Sequence, residues 1–523
     1  MIDILDSFKS NEIANECRNA GNKFYCERNF FDALVKYNES LCYAVIDSEA
    51  VGLAYANRSA VYFEMKLFDK CLKNIELAKA NNYPKKNFHI LDKRSQKCNE
   101  LKAYSNDQER FLENPFDFVK LSYNENSRLP FVVENLELKQ NDIFGRYILA
   151  KQDFNVGDIL AIEEPYFKIL KSDSRYDSCQ ETNKYQRCAV CLKDNLLDLI
   201  SCSTCSSTMY CSQECLKYAE KNFHNYECAI IMILLKSGIM QMAMRVFFQS
   251  LNIFDGSISE LEQFLNNCKK SSTSVYDFDF SDANEKIRAK NCLLSAYNLT
   301  RNDEDSQNES PQKLFMLHPV LAEMWKSHTK FITNFISRIL KIGDSNFHGI
   351  CGWSIQKHKN VEPEMVGIGC YPFISLINHA CVPNVNRIYA EGKMFLLVER
   401  PIMKGEQLFD CYRTTFFTQS KNERQAILFE SYSFHCQCEA CIKNYPLFHA
   451  LKSFDKKLLK YAKKCKNDVR KLETDEAKKK FYEYCAIIQE QYFNHFPSSE
   501  IVLFQECLQQ CISIIIKPKL LFP

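Results

Sequence analysis

Seven cysteines and one histidine between positions 188 and 228 have the short spacings of metal ligands. Zn²⁺ prefers thiolate sulfur and imidazole nitrogen, and structural sites take four of them in a tetrahedron. Eight such ligands therefore predict two zinc ions. The eight residues are Cys188, Cys191, Cys202, Cys205, Cys211, Cys215, His224 and Cys228.

The ligand pairs of this segment are expected to interleave, as they do in other two-zinc modules. One ion would take the first, second, fifth and sixth ligands, and the other ion would take the remaining four. Each ion then has four protein ligands and no open position, which indicates structural rather than catalytic zinc. A segment this small has little core of its own, so metal binding supplies much of its folding free energy.

A second cysteine set predicts a third zinc site between distant parts of the chain. Cys381 lies two residues after His379, whereas Cys436, Cys438 and Cys441 lie far downstream. One ion holding all four sulfurs would tie this tail onto the loop around Asn378. The alternative is a stability clip that is remote from any reaction centre.

Three stretches near this set carry a resemblance to a known family. They read Val366-Gly367-Ile368-Gly369, Ser375-Leu376-Ile377-Asn378-His379-Ala380-Cys381 and Gly405-Glu406-Gln407-Leu408-Phe409-Asp410-Cys411-Tyr412. Together with the two-zinc segment, they resemble the SET and MYND domain-containing protein lysine methyltransferases, in the subtype with an N-terminal tetratricopeptide-repeat arm. Two positions depart from that pattern, because Ala380 replaces a serine and Tyr147 stands where many members carry a second glycine.

The resemblance implies S-adenosylmethionine-dependent methylation of lysine in histone or non-histone proteins. It implies that Tyr412 is the active-site tyrosine and that Tyr432 is a wall of the lysine channel. An aromatic channel would favour the neutral amine by desolvation, and positioning alone can supply part of the rate. The residues implied to bind the cofactor are Gly145, Arg146, Tyr147, Asn346, Asn378, His379, Tyr412 and Phe434.

A second function stays open, that of a catalytically weak adaptor that binds protein partners. The family resemblance implies a MYND finger that docks proline-containing peptides, and a rigid strut is the equal alternative. Some tetratricopeptide positions in the arm can form a clamp for the C-terminal carboxylate of a chaperone. The residues at these positions are Arg18, Asn22 and Asn57, with Lys93 or Arg94. Ordinary helix capping and surface polarity are the alternative for these residues.

The bulk composition narrows the class of protein. A net charge of +2 gives no reason to expect sequence-specific nucleic-acid binding, and the lysine-rich stretch at 455–480 is interpreted as the wet face of a helix. No secretory signal is visible, and no apolar run reaches the roughly 18 residues needed to span a bilayer. The 26 cysteines should therefore stay reduced, and we expect a monomer in the cytoplasm and nucleus with no membrane partner.

These elements predict an α+β multidomain protein, in which a helical-repeat arm precedes a β-rich SET domain. The two-zinc finger and a helical insert would split that domain, and a zinc-bound post-SET segment and C-terminal helices would follow it. The predicted segments are the arm at 1–105, the SET domain at 130–187 and 346–415, the finger at 188–228, the insert at 229–345, the post-SET segment at 416–442 and the C-terminal helices at 443–523.

Overall fold

A computed structural model describes residues 9–104, 117–171, 183–193, 196–236, 238–268, 274–300, 311–353, 363–390 and 392–516. The ends of two predicted segments, at 1–8 and 517–523, lie outside the described residues. So do most of the stretch that precedes the finger, at 172–182, and the polar part of the helical insert, at 301–310.

The N-terminal arm consists of paired helices, which confirms a helical N-terminal region. Ser10 begins the first helix by accepting a hydrogen bond from the Ile13 N–H. The close approach of the first two helices requires a small residue, because a Cβ on Gly21 would lie 2.6 Å from the Tyr37 ring. The helices are α1 (Asn11–Cys26), α2 (Phe30–Tyr43), α3 (Glu49–Glu64), α4 (Phe68–Ala80) and α5 (Phe88–Tyr104).

The middle of the chain is rich in strands, as predicted. These are β1 (Leu136–Asn141), β2 (Gly145–Ala150), β3 (Ile159–Glu163), β4 (Phe167–Leu170), β5 (Ile200–Ser201), β6 (Met209–Tyr210), β7 (Phe347–Trp353), β8 (Pro363–Cys370), β9 (Asn378–His379), β10 (Val385–Ala390), β11 (Lys393–Val398) and β12 (Phe409–Asp410). Strands β10, β11 and β3 form one sheet, and β4, β8 and β7 form another. Strand β9 pairs with β12 in parallel, which places Asn378 beside Phe409 and His379 beside Asp410.

Helices fill the space between and after these strands. They are α6 (Gln213–Ala219), α7 (Asn225–Glu227), α8 (Ile231–Lys236), α9 (Ile239–Ile253), α10 (Ile258–Asn267), α11 (Glu285–Tyr297), α12 (Gln312–Phe315), α13 (Pro319–Asn346), α14 (Lys421–Tyr432), α15 (Glu439–Ile442), α16 (Lys456–Asp468), α17 (Thr474–His495) and α18 (Ser499–Ile515). Within the described ranges, none of these helices is both long enough and apolar enough to cross a membrane.

The arm packs directly on the cysteine-rich segment. Arg58 is 2% exposed, and its guanidinium donates to the carbonyl oxygens of Leu197 at 2.9 Å and Leu199 at 2.8 Å. The amide of Asn38 donates to the carbonyl oxygen of Leu196 at 3.1 Å. Met209 of β6 is fully buried in the same hydrophobic cluster as α2 and α3. The arm therefore covers one side of the segment, and its Arg58 and Asn38 side chains donate to carbonyl oxygens of that segment.

The C-terminal helices pack on the β10–β11–β3 sheet. Phe395 and Leu397 of β11 share a hydrophobic cluster with α16, α17 and α18. The buried Glu399 carboxylate, just after β11, accepts a hydrogen bond from Gln509 at 2.6 Å. This packing leaves the opposite side of the central region for the site described next.

Candidate active site and metal centres

The structure brings the eight ligand-type residues at 188–228 into the two groups that their spacing predicted. In each group the four candidate ligand atoms all lie within 4.8 Å of one another. This donor chemistry fits tetrahedral zinc. One group is Cys188, Cys191, Cys211 and Cys215, and the other is Cys202, Cys205, His224 and Cys228.

His224 reaches its group from the end of a π-helical turn, Glu220–His224. Its Nε2 atom lies 3.3 Å from the Cys202 sulfur. Glu227, one turn further on, is fully buried and accepts two hydrogen bonds from Arg245 of α9, at 2.5 and 2.7 Å. A bidentate pair of this kind holds its partners in a fixed orientation, so it anchors the cysteine-rich segment to α9.

The third group forms across the chain as predicted. The Cys381 sulfur lies 3.9 Å from that of Cys436 and 3.6 Å from that of Cys441, and all four candidate ligand atoms, with Cys438, lie within 4.8 Å of one another. The Gln425 side chain exchanges two hydrogen bonds with the Cys436 backbone, at 2.7 and 3.0 Å. This donor set again fits tetrahedral zinc, and it places the segment at 436–441 against the loop that carries Cys381.

His379 connects the third group to Tyr412. Its Nδ1 atom accepts a hydrogen bond from the Tyr412 backbone N–H at 3.1 Å, and its Nε2 atom lies 3.4 Å from the Cys381 sulfur. Burial is the main cause that lowers the pKa of His379 to about 4, so the ring is neutral with its proton on Nε2. Because both ring nitrogens have protein partners, only the backbone of His379 is left for the cofactor contact predicted there.

Asn378 connects the same loop to the first turn of the β1–β2 hairpin. Its amide donates to the carbonyl oxygens of Phe144 at 3.3 Å and Arg146 at 3.1 Å. Gly145, between them, has a φ of 62°, and an added Cβ would meet nothing within 4 Å. The structure thus brings predicted cofactor residues from 145–147 and 378 together beside open space.

A cavity of about 180 Å³ opens beside Tyr412 and Tyr432. Their ring centroids are 4.9 Å apart, and that of Phe434 lies 6.5 Å from Tyr412. The Tyr412 hydroxyl donates to the Ile377 carbonyl oxygen at 2.9 Å, and burial is the main cause that raises its pKa, so the phenol stays protonated. The other lining residues are Asp344, Ser345, Phe347, His348, Gly349, Ile374, Ser375, Ile377, Arg387 and Arg413.

The polar groups of the lining are mostly neutralised. Arg387 forms an ion pair with the buried Asp410, and it contacts His348 Nδ1 at 2.5 Å. Burial, with the nearby Arg387 charge as a second cause, holds the pKa of His348 well below its usual range. Arg413 is exposed and forms no ion pair with the residues that the structure describes.

The sequence model of the SET domain matches residues 145–413, slightly more than half of the chain. This chain belongs to the SET domain family. The match begins at the first turn beside Asn378 and ends one residue after Tyr412, so it encloses the loop, most of the cavity lining and the two-group segment, whereas the lining residue Tyr432 lies beyond it.

Three curated relatives illustrate the similarity. Protein-lysine N-methyltransferase SMYD4 from Pongo abelii is 22% identical over 81% of this chain and 66% of its own length. Histone-lysine N-methyltransferase SMYD3 from Homo sapiens is 29% identical over 46% of this chain and 49% of its own. Histone-lysine N-methyltransferase ASHR1 from Arabidopsis thaliana is 25% identical over 57% of this chain and 53% of its own. The chain thus matches slightly less than two thirds of the SMYD4 relative.

The Asn346 side chain, predicted to contact the cofactor, does not line the cavity. The Asn346 amide donates to the carbonyl oxygens of Thr300 at 2.5 Å and Ile342 at 2.9 Å, and the residue is 5% exposed. Its neighbour Ser345 lines the cavity instead. One residue of helix turns a side chain by about 100°, which is enough to move it from the cavity into the interior.

Glu163 is a residue of the SET domain that the sequence interpretation missed. It is 3% exposed, and its carboxylate accepts the backbone N–H groups of Phe373 at 2.8 Å and Ile374 at 2.9 Å. These two residues begin the turn that carries Ser375 and Ile377 to the cavity. An acidic residue at the end of an apolar stretch was the one signal available, and it does not reveal this partner.

Replacing Glu163 with Gln should expose a pH effect on stability. Burial raises the pKa of Glu163 to about 8, although the two backbone hydrogen bonds lower it. The folded state therefore holds a proton that the unfolded state releases near the ordinary value of 4.5, and stability falls as pH rises between these values. The variant cannot ionise, so its deficit in unfolding free energy should be largest below pH 4.5 and should narrow toward pH 8.

Urea unfolding followed by circular dichroism at several pH values measures this difference. Glu125→Gln removes an exposed carboxyl and is the matched control, whose difference from the native protein should stay flat across the same window. A deficit of Glu163→Gln that widens with rising pH would mean that the carboxylate, not the acid, is the form that the fold stabilises.

Proposed function

We propose that this chain is an S-adenosylmethionine-dependent protein-lysine N-methyltransferase that acts on histone or non-histone proteins. Membership of the SET domain family and the names of the curated relatives support this proposal. The single observation that carries it is the placement of the Tyr412 hydroxyl. It donates to the Ile377 carbonyl oxygen, so its own oxygen is left to accept a hydrogen bond in the cavity.

The residues present fit the cofactor. Open space beside Gly145 and the amide of Asn378 lie at one side of the loop, and the Phe434 ring lies 6.1 Å from His379. When bound, S-adenosylmethionine supplies an electrophilic methyl group on a positively charged sulfur. In this proposal the backbone at 145–147, Asn378 and the backbone of His379 hold it, Phe434 stacks on its adenine ring, and Ser345 takes the place assigned to Asn346.

The cavity favours a neutral substrate amine. Its aromatic walls, Tyr412 and Tyr432, desolvate an incoming ammonium, and Arg413 repels the charged form. The Tyr412 oxygen then accepts an N–H from the amine and orients the nitrogen lone pair. Asp344 is exposed on the lining, where it can attract the substrate ammonium. The ammonium can release its proton to water there before the neutral amine reaches Tyr412.

The finer architecture belongs to the same proposal. We infer two zinc ions in a MYND finger at 188–228 and one in a post-SET segment at 416–442. The donor sets support this inference, because each group offers four sulfur or imidazole ligands within 4.8 Å. In the third site the ion fixes Tyr432 and Phe434, which directly precede Cys436, against the Tyr412 loop. Location in the cytoplasm and nucleus stays a prediction.

The finger itself acts as a strut in this proposal rather than as a dock for proline-containing peptides. Met209 of β6 is fully buried against the arm, and the carbonyl oxygens of Leu197 and Leu199 are occupied by Arg58. A peptide that used this side of the finger would have to displace the arm. The adaptor function is therefore better sought in the arm than in the finger.

The arm supports a second, weaker proposal, the carboxylate clamp. The Asn22 side-chain oxygen accepts from the Asn57 amide at 2.7 Å and from the Tyr37 hydroxyl at 3.0 Å. Arg94 reaches the Ala56 carbonyl oxygen at 3.0 Å, next to Asn57, and the buried Nε of Arg18 has no hydrogen-bond partner. These side chains lie on α1, α3 and α5, and a peptide carboxylate bound between them would accept hydrogen bonds from their N–H groups.

Replacing Tyr412 with Phe tests the enzyme. The variant should bind S-adenosylmethionine within about threefold of the native affinity in calorimetry, while the rate of methyl transfer to cell-extract proteins should fall about 10²–10³-fold. Tyr482→Phe, at a position that is 64% exposed, is the matched control and should keep the native rate. If the native protein bound the cofactor and a protein partner but transferred no methyl group, this result would favour the adaptor function instead.

Replacing Cys438 with Ser tests the third metal site. The variant should retain two of three zinc ions in metal analysis and should lose methyl transfer, because the aromatic wall at 432–434 is no longer held. Cys26→Ser removes an exposed cysteine outside the three groups and should change neither quantity. Full activity of Cys438→Ser with one ion missing would reduce the site to a remote clip.

Amidation tests the clamp. A short acidic peptide with a free C-terminal carboxylate should bind the native protein at least about tenfold more tightly than its C-terminal amide, because the amide removes the charge-assisted hydrogen bonds. Fluorescence anisotropy of the labelled peptides measures both affinities. Asn57→Ala should bring the two together, and equal affinities for the native protein would leave ordinary helix packing as the role of these residues.

A further inference from the structure

The strongest unexplained surface is a row of lysines on α16, which we name the lysine face. Between Lys452 and Lys471 the chain carries nine basic and two acidic side chains, although its net charge is +2. Five of these lysines recur at intervals of three and four positions, so they share one side of the helix. The lysine face consists of Lys456, Lys457, Lys460, Lys463 and Lys464, all of them exposed.

The lysine face is not neutralised within the described part of the chain. None of its five residues forms an ion pair there, whereas Lys466 on the same helix pairs with Glu506 at 2.7 Å. Like charges three and four positions apart destabilise a helix, and Lys456 and Lys457 stand in the first turn, where the helix dipole disfavours cations. Helix stability therefore does not explain these residues.

The helix behind the lysine face is rigidly supported. Asp455 caps its start by accepting from the backbone N–H groups of Lys457 at 2.7 Å and Leu458 at 3.1 Å. The opposite side buries Ala462 and Cys465 in the C-terminal core. From Lys456 to Lys464 the row spans about 12 Å along the axis. A fixed row of ammonium groups needs little further ordering when it meets a matching row of anions.

The chemistry of the face selects among anionic partners. An amphipathic helix that lies on a membrane needs exposed apolar residues, and no large hydrophobic side chain between 443 and 481 is strongly exposed. Protein interfaces rely on buried aromatic or arginine anchors, and single-stranded nucleic acids rely on aromatic stacking. The face has neither. Phosphates of a duplex are bound by lysine charge alone, whatever the base sequence.

We propose that the lysine face binds the phosphate backbone of double-stranded DNA without sequence specificity. This inference is independent of the proposed methyl transfer, because the face shares no residue with the cavity. Such binding differs from sequence-specific recognition of nucleic acid, which the composition gave no reason to expect.

Anisotropy titrations with a labelled 20-base-pair duplex at several salt concentrations test the proposal. With four to five phosphate contacts, the logarithm of the association constant should fall with the logarithm of salt concentration with a slope of about −4. Replacing Lys456, Lys460, Lys463 and Lys464 together with Gln leaves only Lys457 on the face, so it should bring that slope to about −1 and weaken binding at low salt more than tenfold. Gln is a good helix former, and circular dichroism should show the helix retained.

The matched control replaces four exposed lysines of the arm, Lys23, Lys85, Lys86 and Lys97, with Gln, and it should bind the duplex as the native protein does. Methylation of a peptide substrate should be unchanged in both quadruple variants. Equal weakening by both would reduce the effect to net charge and overturn the proposal. Tighter binding of poly-glutamate or of phosphatidylserine vesicles than of the duplex would assign the face to an acidic protein or to a membrane and would equally overturn it.

Discussion

The fold of the cavity depends on the approach of four sulfurs, one from Cys381 and three from Cys436, Cys438 and Cys441. The hydrophobic cluster around them has eight buried members, and three of these are the cysteines Cys381, Cys436 and Cys441, so apolar burial alone is a small part of what holds the segment at 436–441 in place. The cavity wall Tyr432 and the nearby ring of Phe434 lie within four residues before the first cysteine of that segment. Any ion that closes the sulfur group therefore sets the width of the cavity as well.

His379 makes this dependence stronger, since it contacts the sulfur group and the tyrosine at once. An imidazole that accepts from the Tyr412 backbone must carry its proton on the other nitrogen, which lies against the Cys381 sulfur. A shift of the sulfur would change the tautomer or the ring position, and the Tyr412 backbone would follow. The parallel β9–β12 pair adds a second connection between the same two segments. The sulfur group and the Tyr412 segment are therefore mechanically connected.

Predictions from the sequence succeeded where the residues that form a feature lie close together in the chain. Zinc ligands have characteristic spacings within one segment, so the spacing from Cys188 to Cys228 was enough to identify eight ligands, and the threading of other two-zinc modules supplied their division into two groups. The assignment of Asn346 depended on one residue near a helix end, where the neighbouring Ser345 lines the cavity and the Asn346 amide does not. Glu163 and its partner Phe373 are 210 positions apart, and no local pattern reports such a hydrogen bond.

Burial shifts the pKa of several groups in and beside the cavity. The pKa of Asp410 is raised to about 6, chiefly by desolvation, although the Arg387 charge lowers it, and His348 is kept neutral by burial and by the same arginine. The Arg387 guanidinium thus contacts a carboxylate and an imidazole together, and its ion pair with Asp410 largely neutralises its charge. The rest of the lining offers a protonated phenol, aromatic walls and Arg413, which has no ion pair among the described residues. Such surroundings distinguish amine from ammonium without a general base, because the charged form loses hydration there and gains no counter-ion deep in the cavity. The single lining carboxylate, Asp344, stays at the exposed side, where it can attract the charged form without stabilising it at the point of reaction.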